Sequence, residues 1–310
     1  MSCASLASLP ASAFPVPNTV ITSATDTPAS GVLPERCIVN GYVNQHISPV
    51  DNCEYQNGFQ VQLPLPNAWN GRFFMQGGGG TEGMVPPATG SNSGAGAGTF
   101  GITNGYAVAS QDGGHENSQL ASPTCDAGYG NANEFFLDPL GTIANAYQSI
   151  DVTALTAKYL IAVYYGNNAD YSYWVGCSTG GRQGMVMSQH FPQYFDGIVA
   201  GDPVYDLQAI GLSETYGVEQ ILNVYNTAVP PLPPITYVAQ HAPQPAGPIL
   251  YPAFPVADQE LFTRAILQAC DALDGVEDGI IDNLKTCQRT IRSSHVCVFG
   301  HWPASPMQWP

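Results

Sequence analysis

The stretch GCSTGGRQG, residues 176–184, follows the apolar run Tyr171-Ser172-Tyr173-Trp174-Val175 without a break. A strand-like run, then a serine, then glycines that open a helical pattern: this is the setting of a nucleophilic serine on a sharp strand-to-helix turn. Small residues two before and two after the serine let the arms of such a turn approach each other. Gly176 and Gly180 fill both places and complete G-x-S-x-G around Ser178. The turn would aim the Thr179 N–H from a helix N-terminus, where backbone donors and the helix dipole favour a developing oxyanion. The second donor of an oxyanion hole comes from an earlier strand-to-helix loop. The run Gly77-Gly78-Gly79-Gly80 directly follows a strand-like segment, and Gly78 and Gly79 are the candidate donors. A phosphate cradle would need a downstream Gly-Lys-Ser/Thr, and none follows.

Outward from this turn, short strand patterns cover Cys37 to Val43, Gly58 to Leu63, Arg72 to Gln76, Tyr106 to Ser110, Tyr173 to Gly176 and Gly197 to Gly201. A helix is expected over residues 139–162, with Ile143, Tyr147, Ile150, Ala154, Leu155 and Leu160 on one side and Pro139 in its first turn. A second helix should run from Thr179 to about Phe191. Strands alternating with helices imply an α/β fold with a parallel sheet covered on both faces. Residues 1–35, rich in Pro, Ser, Ala and Thr, are expected to form an irregular arm. After Tyr205 the alternation is lost among Pro-rich segments, as in an inserted lid or cap. The expected organisation is an arm (1–35), a catalytic domain part (36–205), a lid start (206–287) and a divergent tail (288–310).

Composition excludes several classes. With 8 Lys+Arg against 24 Asp+Glu, the net charge is −16, a surface that repels nucleic-acid backbones and anionic membranes. No apolar run is long enough to span a bilayer. The 8 cysteines form no C-x-x-C pair, which argues for disulfides in an exported protein rather than structural zinc. A secreted or periplasmic location is expected, although no signal peptide is visible at Met1.

Gly176 to Gly184 resembles the signature of the tannase and feruloyl esterase family. Trp69-Asn70-Gly71-Arg72-Phe73-Phe74 running into Gly77 to Gly80, and Phe195-Asp196-Gly197-Ile198-Val199-Ala200-Gly201, are similar in the same order. The similarity extends over roughly residues 35–284. It implies an α/β-hydrolase fold with a large lid and a sheet left incomplete at the C-terminal side. It also implies a serine-dependent hydrolase, working through an acyl-enzyme, for esters of feruloyl, galloyl or terephthaloyl type.

The segment Cys270 to Asp282 is dense in carboxylates and bends at Gly275 and Gly279. Hard oxygen donors on a flexible loop suit calcium, but the EF-hand spacing is absent. By resemblance, structural calcium is held by the side chains of Asp271, Asp274 and Asp278 and the carbonyls of Val276 and Ile280. Resemblance also implies a disulfide Cys270–Cys287 closing this loop. Cys3–Cys37 and Cys53–Cys125 are the pairs expected beside it, with Cys177 left without a partner.

A serine nucleophile needs a base and an orienting carboxylate, in the chain order Ser, Asp or Glu, His. In the resembled family these lie beyond the lid, and the chain is expected to lack them. His295 is followed by Val296-Cys297 rather than directly by cysteine, and His301 lies in the divergent tail. His115 precedes the serine and could lie near a pocket rim, His190 belongs to the helix after the turn, and His46 and His241 carry no signal. Asp202 follows a strand at a position some lipases use for their acid, but more simply begins the lid connection. Arg182 is a candidate to pin the helix after the turn, but is expected rather in a structural ion pair. Tyr216 and Tyr225 are candidates to line an aromatic pocket or to pack the core. The chain is therefore expected to be a truncated esterase, inactive as it stands. The alternative is a non-catalytic binding protein that keeps the pocket and the calcium site. A secreted carbohydrate-binding module is a third, weaker reading.

Overall fold

The structure, a computed structural model, describes residues 1–91, 101–120, 125, 134–227 and 256–293. The chain divides into two compact units, Met1–Leu207 and Gln208–Pro310.

The first unit is built on a seven-stranded sheet in the order β1-β2-β3-β5-β4-β6-β7. The strands are β1 (Val20–Thr27), β2 (Arg36–Ile47), β3 (Glu54–Pro64), β4 (Arg72–Gln76), β5 (Ala107–Gln111), β6 (Tyr171–Cys177) and β7 (Gly197–Gly201). All six expected strands form. The sheet is mixed rather than parallel throughout. β1, β2 and β3 are an antiparallel meander, β3 meets β5 antiparallel, and only β5, β4, β6 and β7 run parallel. The arm is a correction to the sequence reading. Val20–Thr27 is an edge strand, paired with β2 from Val20↔Tyr42 to Thr27↔Arg36. Cys3 is fixed to Cys37 of β2 by a disulfide, so the start of the chain is tied to the sheet.

Among the described residues, eight α-helices accompany the strands: α1 (Cys3–Leu6), α2 (Asn117–Leu120), α3 (Pro139–Ile143), α4 (Ser149–Tyr165), α5 (Thr179–His190), α6 (Leu207–Thr227), α7 (Val256–Cys270) and α8 (Leu284–Ser293). Period-two alternation along the central strands serves two faces. Phe73, Met75, Ala107, Ala109 and Trp174 point into the main core with Ile150, Ala154, Ala157, Leu160 and Ile161 of α4. Phe74 and Val108 point the other way, against Ala88 and Ile102. On that second face a groove of about 440 Å³ runs between Phe74, Tyr106, Tyr173 and Val199.

The helix expected over 139–162 is interrupted. Asp138 caps α3 by accepting from Gly141 N–H at 2.7 Å, and Pro139 stands in the first turn as expected. Residues Ala144–Gln148 then form one π turn before α4 begins. Its wider turn rotates everything before it relative to α4. Ile143 and Tyr147 are therefore exposed, not aligned with buried Ile150, Ala154 and Leu160.

In the second unit, the Cys270–Cys287 disulfide joins the end of α7 to α8. Helix α8, Leu284–Ser293, runs across position 288, where the divergent tail was expected to begin. Tyr216 is exposed on α6. The side chain of Tyr225, together with His241, His295, Cys297 and His301, lies outside the described residues. No described helix is long and apolar enough to cross a membrane.

Candidate active site

Ser178 ends β6 and caps α5 with φ 60° and ψ −118°, outside the regions L-residues favour. Its backbone is held on three sides. Ser178 N–H donates to Gly201 O at 3.1 Å, and Ser178 O accepts from Arg182 N–H at 3.0 Å and Val204 N–H at 3.2 Å. The strain is thus over-determined by β7 and by the first turn of α5, as expected of a functional outlier. The side chain is exposed at the end of the strand.

Glycines make this approach possible. A Cβ on Gly176 would stand 2.5 Å from Gly180 O, and one on Gly181 would stand 2.2 Å from Gly201 O. Gly77 packs against both Gly176 and Gly180, so the glycine loop after β4 reaches the elbow directly. The G-x-S-x-G spacing and the upstream glycine run are therefore parts of one backbone contact.

The loop has two tethers to α5. Gly78 N–H donates to Gln183 Oε1 at 3.0 Å, and the Thr179 hydroxyl donates to Gly80 O. Gly78, expected as an oxyanion donor, thus has its N–H engaged. Gly79 is exposed, and a Cβ there would meet nothing within 4 Å. Its N–H has no partner among the described residues. Gly79 and Thr179 are left as the two expected donors. Beside them a hollow of about 430 Å³ is lined by Gln76, Gly77, Gly78, Gly79, Pro86, Pro87, Thr89 and Ser91.

Behind the loop lies a polar cluster that no local motif announces. Glu82 accepts from Gln183 Nε2 and, at 2.6 Å, from Gln111 Nε2. Part of the residue remains exposed, but its carboxylate is boxed in by these amides and Gly78. Desolvation pushes its pKa up to about 7, against the lowering effects of Gln183, Arg182 and Gln111. Asp112 is fully enclosed beside it and accepts from Gly58 N–H and Gly114 N–H, each at 2.8 Å. Burial raises its pKa well above the usual carboxylate range in spite of those two bonds. Arg182 makes no ion pair among the described residues, contrary to expectation. Its guanidinium reaches Asn145 O at 3.4 Å and Ala146 O at 3.5 Å, which pins α5 to the π turn.

The described histidines stand elsewhere. His46 Nε2 bonds Asp138 Oδ2 at 2.8 Å, and the ring stacks near Tyr55. His115 is completely buried against Phe135, ring centroids 3.9 Å apart, rather than at a pocket rim. His190 is exposed and stacked near Tyr147. Ser178 Oγ has no hydrogen-bond partner among the described residues. Asp202 is exposed, with φ 37°, in the turn that follows β7.

All three expected disulfides form: Cys3–Cys37, Cys53–Cys125 and Cys270–Cys287. Cys177 is a free, half-exposed thiol next to Ser178. In the acidic loop the carboxylates fold the loop upon itself. Asp271 accepts from Asp278 and Gly279 N–H, Asp274 from Val276 and Asp282 N–H, and Asp278 from Ile280 N–H. Hard oxygens fit calcium. Asp271 Oδ1 already accepts two N–H groups, while Asp274 Oδ1 and Oδ2 and Asp278 Oδ1 each accept one and keep a second lone pair. Among the described residues, no three His, Cys, Asp or Glu side chains converge on one metal position.

A serine elbow at the end of a parallel strand, a helix N-terminus behind it and a glycine loop beside it define the α/β-hydrolase fold. The particular family follows from comparison: residues 40–229 match the profile of tannase and feruloyl esterase, and the chain belongs to that family. It is 37% identical to the mono(2-hydroxyethyl) terephthalate hydrolase of Piscinibacter sakaiensis, over 84% of this chain and 40% of that protein. It is 34% identical to a protein of Arthroderma benhamiae described as a probable feruloyl esterase, over 74% of this chain and 35% of that one. The crystal structure of feruloyl esterase B from Aspergillus oryzae shares the fold, with a TM-score of 0.62 at 23% identity over 92% of this chain and 49% of that one. The chain spans less than half the length of these relatives.

Proposed function

We propose that the chain carries the nucleophile and oxyanion half of a serine-dependent carboxylic ester hydrolase for aromatic-acid esters of the feruloyl, galloyl or terephthaloyl type. The observation that carries this reading is Ser178, exposed and strained at the elbow, with the glycine loop packed on that elbow through Gly77. In the reaction Ser178 Oγ attacks the ester carbonyl and loses its proton to a base, while the two amides hold the oxyanion. Collapse expels the alcohol, and water then releases the aromatic acid. The base and its carboxylate are not among the described residues around Ser178. The preceding names of relatives support the substrate class: one acts on a terephthalate monoester and another is described for feruloyl esters.

Calcium belongs to the same proposal. Asp271, Asp274 and Asp278 with the carbonyls of Val276 and Ile280 would hold it, and its contribution when bound is to cross-link the loop between α7 and α8. The three disulfides favour an oxidising compartment, secreted or periplasmic.

The test is direct. The purified chain is offered a fluorophosphonate and, separately, ferulate, gallate and mono(2-hydroxyethyl) terephthalate esters. Phosphonylation mapped to Ser178 with release of an aromatic acid supports the reading. Affinity for the aromatic acids with neither labelling nor turnover supports the binding-protein alternative, which the unpartnered Ser178 Oγ favours.

A further inference from the structure

The glycine loop is clamped by the same helix that carries the nucleophile. Thr179 and Gln183 stand one turn apart on α5, and so on one face. Thr179 takes hold of Gly80 O, and Gln183 takes hold of Gly78 N–H, so that Gly79 is suspended between two tethers. A glutamine amide has two unlike ends. Gln183 can turn Oε1 to Gly78 only when an acceptor receives its Nε2 on the other side. Glu82 is that acceptor, while Gln111 occupies its other oxygen. Glu82 also closes the loop on itself, its N–H donating to Gly79 O at 3.0 Å.

We propose that Glu82 is a positioning residue: by accepting from Gln183, its carboxylate sets the amide orientation that clamps Gly78 and presents the Gly79 N–H beside Ser178. The use of the clamp in catalysis rests on the esterase reading above; its existence does not. A carboxylate accepts from both glutamines at once. A protonated carboxyl must donate at one oxygen. When that oxygen faces Gln183, the amide turns its carbonyl to Glu82 and sets its NH2 against the Gly78 N–H, donor against donor. The clamp then opens. Because burial brings Glu82 to titrate near neutrality, the clamp closes as pH rises through about 7. The other charged groups facing Glu82 are Arg182 from α5 and Asp112 at the end of β5, with Glu116 acting on Asp112.

The experiment follows the Gly78 and Gly79 amide resonances in ¹⁵N-glycine-labelled wild type and E82Q between about pH 5.5 and 8.5, a range centred on the expected transition. The Gly78 resonance is expected to titrate with a midpoint near 7 in wild type and to stay flat in E82Q. A flat wild-type resonance overturns the proposal whether or not E82Q folds, and so does an equal titration in E82Q. In parallel, Ser178 phosphonylation by a fluorophosphonate is expected to be about tenfold slower in E82Q at pH 8, with reversible binding of the probe unchanged. Equal rates overturn the positioning role. A wild type that is never phosphonylated overturns the esterase reading instead, and the amide titration then decides the clamp alone.

Discussion

Gly77 and Gly180 touch through their backbones: a Cβ on Gly77 would lie 2.7 Å from the Gly180 Cα, closer than any side chain could be accommodated. The contact joins two segments more than a hundred positions apart. It sets how closely the glycine loop approaches the first turn of α5.

Gly77→Ala and Gly176→Ala are therefore expected to cost about 1–3 kcal/mol, since the opposing atoms are backbone and cannot swing aside. Gly79→Ala, which would meet nothing within 4 Å, should stay within roughly 0.5 kcal/mol of wild type. Urea unfolding of the three variants checks this. Equal costs at Gly77 and Gly79 would mean that the loop does not pack on the elbow.

Ser178 offers a second comparison. Its φ of 60° with ψ −118° is strained for serine and free for glycine. Ser178→Gly should raise stability by about 1 kcal/mol over Ser178→Ala, the relief of strain exceeding the extra chain entropy. Both variants should abolish fluorophosphonate labelling. If the two were equally stable, the elbow would not be strained.

Much of this site was legible because its determinants are short-range. The elbow needs glycines at fixed offsets from Ser178, and the six expected strands carry enough apolar residues to announce themselves. β1 escaped because Val20–Thr27 is mostly polar and largely exposed; it is a strand by pairing with β2 rather than by its own pattern. The π turn at Ala144–Gln148 shifted the expected buried stripe, and no residue there marks the extra width. The engagement of Gly78 by Gln183 and of Gln183 by Glu82 was out of reach, since it joins residues 105 and 101 positions apart. Periodicity cannot report such pairs.

The acidic loop yields a metal prediction with a stability readout. Millimolar calcium should raise the melting temperature by about 2–4 °C, and a chelator should reverse it, as for any ligand that binds only the folded chain. Asp274→Ala should remove the response. An unchanged melting temperature with calcium in the wild type would leave the Asp271, Asp274 and Asp278 carboxylates as loop-folding groups only.

Glu82 makes stability depend on pH with a definite sign. Its folded pKa, about 7, lies above the ordinary 4.5, so between those values the folded chain binds more proton than the unfolded one. Stability then falls as pH rises through this window and is fully restored below it. For one group the loss is on the order of 2–3 kcal/mol, tempered by the partial exposure of the residue. Asp112, also raised by burial, adds a decline of the same sign. In E82Q the decline should be shallower: the variant should match wild type near pH 4 and exceed it by roughly 2 kcal/mol at pH 8. Chemical unfolding of both proteins across that range measures the difference. Parallel curves would show that the carboxylate is solvated rather than boxed. Divergent curves would mean that the form able to clamp Gly78, the ionised one, is the form the fold holds at a cost. That is the pattern of a group kept for its action at the site rather than for stability.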